Sequence, residues 1–314
     1  MRDARFAETG HADLSAGASA IEGQAVALLM SVDFSLAERL LAAYPLQKVR
    51  TRRGTLSYRE AGAGPALCLL HGISSQSGSW VPQFETLAAR FHVIAWDAPG
   101  YGESDQILAD APATSDYADA FAGLLDGLGI DRTLIVGSSF GALIAGTFAA
   151  TRPERVVGLV LLSPPGGYGL ADPSEREAKL TARLQRLARL GPKGLAADLP
   201  VGMLAQSTPT EARALAAWST ARIRPDGYAQ AARTLACGRL IEDARKYPGP
   251  VLVIAGTEDR ITPSAGSEAI ARAFQHGTFR LVENAGHLCH LDLPALINSA
   301  IADMARHCLE GASP

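Results

Sequence analysis

Aromatic residues make up only 6% of this 314-residue chain, and there are just four cysteines and four methionines. Charge of either sign is also missing in excess: 29 Lys and Arg stand against 32 Asp and Glu, a net charge of -3. That balance removes the electrostatic case for nucleic acid or for an anionic membrane surface as a partner. The cysteines, Cys68, Cys237, Cys289 and Cys308, show no Cys-x-x-Cys spacing. They form neither a zinc ribbon nor a disulfide framework, and read as reduced thiols of a cytoplasmic protein. Of the histidines only His287 and His290 lie close together, and no His-Glu-x-x-His pattern exists, so no metal site is expected. No apolar run reaches bilayer length. Arg2 and Arg5 begin the chain, but Glu8, His11, Asp13 and Glu22 interrupt the residues after them, which argues against a secretion signal. Internal repeats and low-complexity tracts are absent, and the sequence is silent on oligomeric state.

What remains is a core-rich composition, with 47% hydrophobic and 19% charged residues. The length fits one large domain, or one domain carrying an insertion. Continuous apolar runs alternate with helical periodicity. Ala66–Leu70, Phe91–Trp96, Thr133–Gly137, Val156–Leu162 and Pro250–Ala255 read as strands, with a shorter Phe279–Val282 near the end. Helices are expected at 117–128, 140–150, 264–274 and 295–308, with a shorter one at 82–89. Unbroken apolar strands separated by helices mean an α/β fold whose mostly parallel sheet is covered on both faces. Residues 168–245 interrupt that rhythm with helices alone. Leu180, Leu184, Leu187 and Leu190 form one face there, flanked by Arg183, Arg186 and Arg189. In Thr208-Pro209-Thr210-Glu211 the threonine is the expected cap of another helix. The segment reads as a helical cap, residues 168–245, inserted into a core of residues 46–167 and 246–314. Residues 1–45 form a partly helical N-terminal extension.

The chemistry converges on Gly137-Ser138-Ser139-Phe140-Gly141, between a buried strand and a helix. A serine at such a corner needs side-chain-free neighbours two positions either side. Alone the pattern is weak, arising by chance roughly 0.2 times in a chain of this glycine content. An activated serine also needs a base, a group to orient the base and donors for the developing oxyanion. Asp259 follows the strand Val251–Ala255 and His287 follows the last strand, and sheets of this kind place their sites at those strand ends. Ser139, Asp259 and His287 therefore stand as nucleophile, orienting acid and base. The backbone N–H groups of Ile73 and Phe140 are the expected oxyanion donors. Loss of one such donor typically slows acyl chemistry by roughly a hundred- to a thousand-fold. Glu258, adjacent to Asp259, is a competing acid, and His290 a competing base. His71 reads as architecture of the oxyanion loop, and Asp97 as a brace for the loop after its strand.

Five pieces in this order resemble the α/β-hydrolase fold superfamily: Leu70-His71-Gly72, the run from Asp97 to Ser104, Gly137–Gly141, Gly256-Thr257-Glu258-Asp259, and Gly286-His287. They span about residues 47–309. The resemblance implies an eight-stranded, mostly parallel sheet with an inserted helical cap, no cofactor and a small-molecule substrate. A serine nucleophile argues against the dehalogenase and epoxide hydrolase branches. The loop after His71 lacks the glycine triplet of many lipases, and Ser138 stands where hydrolases of aromatic ring-cleavage products usually have Asn. The expected activity is hydrolysis of a small carboxylic ester or lactone through an acyl-enzyme on Ser139. Carbon–carbon bond hydrolysis of a ring-cleavage product, or ligand binding by a sensor on the same fold, are the alternatives. Trp80, Met203, Trp218 and Tyr228 are candidates to line the substrate pocket.

Overall fold

In the computed structural model, which describes residues 34–199 and 201–310, the chain builds an eight-stranded sheet. Residues 1–33 of the expected N-terminal extension lie outside the described part. The strands are β1 Gln47–Thr51, β2 Gly54–Ala61, β3 Ala66–Leu70, β4 His92–Trp96, β5 Thr133–Ser138, β6 Val156–Leu162, β7 Pro250–Gly256 and β8 His276–Val282. The spatial order is β1-β2-β4-β3-β5-β6-β7-β8. The β1–β2 and β2–β4 pairings are antiparallel and all others are parallel.

The helices are α1 Ser35–Leu41, α2 Val81–Leu87, α3 Thr114–Gly127, α4 Phe140–Thr151, α5 Pro173–Ala197, α6 Thr210–Ala221, α7 Pro225–Cys237, α8 Leu240–Ala244, α9 Ser264–Ala273, α10 Cys289–Asp292 and α11 Pro294–Glu310. Alternate residues of the central strands feed two cores, one on each face. Leu67, Leu69, Val136, Val160 and Leu162 pack with α2 and α11 on one side. Cys68, Leu70, Ile135, Leu159 and Leu161 pack with α3, α4 and α9 on the other. Because both faces are covered, these strands are apolar at every position, which is why they read as unbroken runs. Each buried Leu or Val contributes about 1.5–3 kcal/mol relative to exposure. The edge strand β8 has no such cover along most of its length, and its residues alternate in burial. Its N-terminal half therefore gave no apolar run, and the strand begins three residues before the expected Phe279.

Helices α5 to α8 occupy the interval between β6 and β7. Gly191, at φ 60, and Pro192 divide α5 into two segments. The small α8 lies on α4 of the core, where Leu240 is fully buried and Thr147 Oγ1 donates to Asp243 Oδ2 at 2.7 Å. Helix α6 corrects one expectation. Thr208 is not its cap, because Pro209 holds an extended backbone (φ -58, ψ 150) and the helix starts at Thr210. The Thr208 hydroxyl goes instead to Ala205 O at 2.6 Å and Asp292 Oδ1 at 2.5 Å.

Candidate active site

Ser139 stands between β5 and α4 with φ 51 and ψ -115, a left-handed backbone that a side-chain-bearing residue rarely adopts. The corner is as tight as its two glycines suggest. A Cβ on Gly141 would lie 2.1 Å from Leu70 O, and one on Gly137 would lie 2.6 Å from Ala142 Cα. Strain at Ser139 is held by the main chain: its N–H donates to Leu162 O at 2.9 Å, and its carbonyl accepts from Ala142 N–H at 2.9 Å. The side chain opens into a cavity of about 630 Å³, counted out to its mouth, which His287 also lines.

The three residues proposed for the chemistry come from three different strand ends. Asp259 follows β7 and His287 follows β8, and their loops are packed together: a Cβ on Gly256 would lie 2.0 Å from Ala285 O. His287 Nδ1 donates to Asp259 Oδ2 at 2.9 Å, in a contact that is almost fully buried on both sides. The other carboxylate oxygen, Oδ1, accepts from the backbone N–H groups of Ile261 at 2.8 Å and Thr262 at 2.9 Å. Burial by itself would raise the Asp259 carboxyl. The hydrogen bond and positive charge of His287, with the amide and hydroxyl of Thr262, outweigh burial and hold it below the usual carboxylate range. Glu258 is half-buried, and among the described residues its carboxylate reaches only Gln206 N–H, at 3.4 Å.

The loop that carries Ile73 is fixed by side chains. His71 Nδ1 donates to Gly72 O at 2.8 Å, which leaves Nε2 to accept from Ala98 N–H at 3.0 Å. Burial keeps His71 neutral by lowering its pKa, which matches this tautomer. Tyr101 packs edge-on against the His71 ring and donates its hydroxyl to Ile73 O at 2.8 Å. Asp97 accepts from Ser57 Oγ at 2.7 Å and from Ser77 N–H at 2.7 Å, bracing the same region. Among the described residues, neither Ile73 N–H nor Phe140 N–H has an acceptor. Ile73 belongs to the cavity wall, and Phe140 directly follows the serine.

His290 lies apart from this chemistry. It is 2% exposed and stacks on Trp80 with ring centroids 4.2 Å apart, and neither ring nitrogen has a partner among the described residues. Burial first, and the charge of His287 second, push its pKa down to about 3. It is a neutral packing group.

The four residues named for the pocket divide. Met203 lines the cavity, and Tyr228 lines a recess that continues it toward α5. Trp80 and Trp218 line neither. Trp80 is sealed against His290, and Trp218 packs with Ala37 and Leu41 of α1 beneath the Arg222 guanidinium. Both indoles are placed by core packing, which sequence position alone does not reveal.

Two positioning residues carry no sequence motif of their own. Thr262 Oγ1 lies 2.8 Å from Asp259 Oδ2, 3.1 Å from His287 Nδ1 and 3.1 Å from Ser163 O. Asp292, five residues after His287, accepts from Gly286 N–H at 2.7 Å and Ala205 N–H at 3.1 Å. It thereby ties the loop before the histidine to the segment between α5 and α6. Burial lifts the Asp292 carboxyl above its usual range, although bonds from Thr208, Gly286 and Ala205 pull the other way. The only signal available for it was an acidic side chain at short spacing beyond the histidine. Among the described residues no group of three His, Cys, Asp or Glu can hold a metal ion, and no helix is long and apolar enough to cross a membrane.

A family model described as the alpha/beta hydrolase fold matches residues 65–294. The chain is 29% identical over 252 residues to an (E)-2-((N-methylformamido)methylene)succinate hydrolase of Acinetobacter baylyi, covering 79% of this chain and 92% of that protein. It is 35% identical over 174 residues to a 2-hydroxy-6-oxo-6-phenylhexa-2,4-dienoate hydrolase of Burkholderia cepacia, covering 53% of this chain and 60% of the other. Among solved structures, a thermophilic esterase from Thermogutta terrifontis superposes with a TM-score of 0.74 at 26% identity, over 84% of this chain and 99% of the esterase.

Proposed function

The chain belongs to the alpha/beta hydrolase fold family, and from that premise we propose that it is a serine hydrolase of small carboxylic esters or lactones. The observation that carries the reading is the 2.9 Å bond from His287 Nδ1 to Asp259, in a wall of the cavity that also holds the strained Ser139. With Nδ1 committed to Asp259, the free Nε2 is the basic nitrogen. Ser139 Oγ attacks the substrate carbonyl carbon while Nε2 takes the hydroxyl proton. The carbonyl electron pair moves onto oxygen, where the N–H groups of Ile73 and Phe140 receive the charge. Collapse expels the alkoxide, which leaves with the proton from Nε2, and an acyl-Ser139 ester remains. Water then repeats the cycle: Nε2 removes its proton, hydroxide adds to the acyl carbon, and Ser139 departs reprotonated. No step in this sequence calls on a cofactor or metal.

A fluorophosphonate probe and a panel of short 4-nitrophenyl esters and lactones test the reading. Labelling confined to Ser139, with turnover lost in Ser139→Ala, is the expected result. Hydrolysis by Ser139→Ala at the parent rate would remove the nucleophile. A second reading, carbon–carbon bond hydrolysis, is favoured by the likeness to the Burkholderia cepacia enzyme. Turnover of coloured ring-fission dienoates, with esters left untouched, would replace the ester reading by that one. Ser139 labelling without turnover of any substrate would point to a sensor.

A further inference from the structure

We propose that Arg183 and the Tyr228 hydroxyl form an anion-binding subsite, so that the substrate carries a free carboxylate away from the scissile bond. This rests on the reading of Ser139 as the acylation site and names the substrate class that site takes. The cavity between Ser139 and the cap is walled mainly by apolar groups such as Leu199, Met203 and Leu235. Arg183, on α5, reaches into it and is only half-buried. The recess beyond Arg183 is bordered by two further cations on the same helix face, Lys179 and Arg186.

The three cations differ in how they are satisfied. Lys179 is engaged by Glu175 at 2.8 Å and lies over the Tyr168 ring at 4.4 Å. Arg186 pairs with Asp198 at 3.0 Å. Arg183 has no carboxylate partner among the described residues. Its one hydrogen bond is a long one, 3.4 Å, from Nη1 to Tyr228 Oη. Among the described residues, no Asp or Glu lines either the cavity or the recess. A guanidinium presents five donors in a planar fork, and here four have no protein acceptor among the described residues. Tyr228 is almost fully buried, and its hydroxyl accepts from Arg183, so its own proton is free for a ligand. A carboxylate fits this arrangement: one or both oxygens accept from the fork while one also accepts from the tyrosine. In a mainly apolar cavity such a charge-assisted contact selects more strongly than it does in water.

The test reads a preference within each protein, so that changes in overall activity cancel. Mono-4-nitrophenyl adipate and pimelate are compared with 4-nitrophenyl hexanoate and heptanoate. For a charge on the alcohol side, 4-butanoyloxybenzoate is compared with its methyl ester. The parent should favour the carboxylate member of at least one pair by roughly tenfold in kcat/KM, with the gain in KM. Arg183→Gln should bring that ratio to about one, and Arg183→Lys should keep part of it. Adipate binding followed by calorimetry, weaker by a similar factor in Arg183→Gln, reads the subsite without turnover. A parent that prefers the neutral member of every pair, or a ratio and an adipate affinity unchanged in Arg183→Gln, overturns the proposal. Absence of Ser139 labelling together with intact Arg183-dependent adipate binding would instead sink the acyl-enzyme reading and leave the subsite standing.

Discussion

His290 should make the folded protein sensitive to acid, by an amount that its surroundings set. The ring is sealed between Trp80 and the core with neither nitrogen bonded among the described residues. Its pKa of about 3 compares with 6.5 for an ordinary histidine. The unfolded chain therefore binds this proton at a pH where the folded chain refuses it. Stability from this source is fully present above about pH 6.5 and is lost as the pH falls toward 3. Each pH unit inside that window is worth about 1.4 kcal/mol, so moving from pH 7 to pH 4.5 costs about 2.5 kcal/mol. Urea unfolding followed by circular dichroism at several pH values in that range measures it. Other groups, His71 and Asp259 among them, also titrate, so the comparison is with His290→Phe, which keeps an aromatic ring against Trp80. The gap in unfolding free energy between the two proteins should shift by about 2.5 kcal/mol in favour of the variant on acidification. Parallel curves for the two proteins would refute the reasoning. So would a His290 ring resonance that titrates near pH 6.5 in the folded state.

Three further outcomes are expected at the site. Thr262→Val removes a hydroxyl contact from the Asp259–His287 pair and should lower kcat by roughly tenfold with little change in KM, whereas Thr262→Ser should restore it; ester kinetics on the three proteins decide. Gly141→Ala places a methyl group 2.1 Å from Leu70 O, a backbone atom that cannot swing away, and should cost about 3 kcal/mol in urea unfolding. Asp292→Ala strands the N–H groups of Gly286 and Ala205. It should lose about 1–3 kcal/mol of stability and slow turnover of short esters, and normal kinetics would show that the loop before His287 needs no such anchor.

The strands of the sheet were legible because burial on both faces makes them apolar at every position, as in Val156–Leu162. The corner at Ser139 was legible because only glycine survives where a Cβ would meet Leu70 O or Ala142 Cα. Asp259 and His287 could be named from loops that come after strands, since a parallel sheet gathers those loops at one edge. The sequence favoured Asp259 over Glu258 by its place in the motif Gly256-Thr257-Glu258-Asp259, but adjacent side chains leave a loop in different directions. Only the folded chain shows which of them meets the histidine. The same holds for His287 and His290, three residues apart, one in the cavity and the other stacked on Trp80.

Sequence alone therefore determined the class of fold, the tight glycine-flanked corner at Ser139 and the order of the candidate chemical groups along the chain. Those depend on local backbone sterics and on apolar periodicity, which are written residue by residue. Tertiary structure decided what the groups do to one another. It sent Trp80 and Trp218 into packing, turned Thr208 from a helix cap into a partner of Asp292, and left Arg183, in the wall of the cavity that Ser139 also lines, without a carboxylate partner among the described residues. Those outcomes depend on contacts between segments far apart in sequence, such as α5 packed on α6 and α7, and no spacing along the chain encodes them.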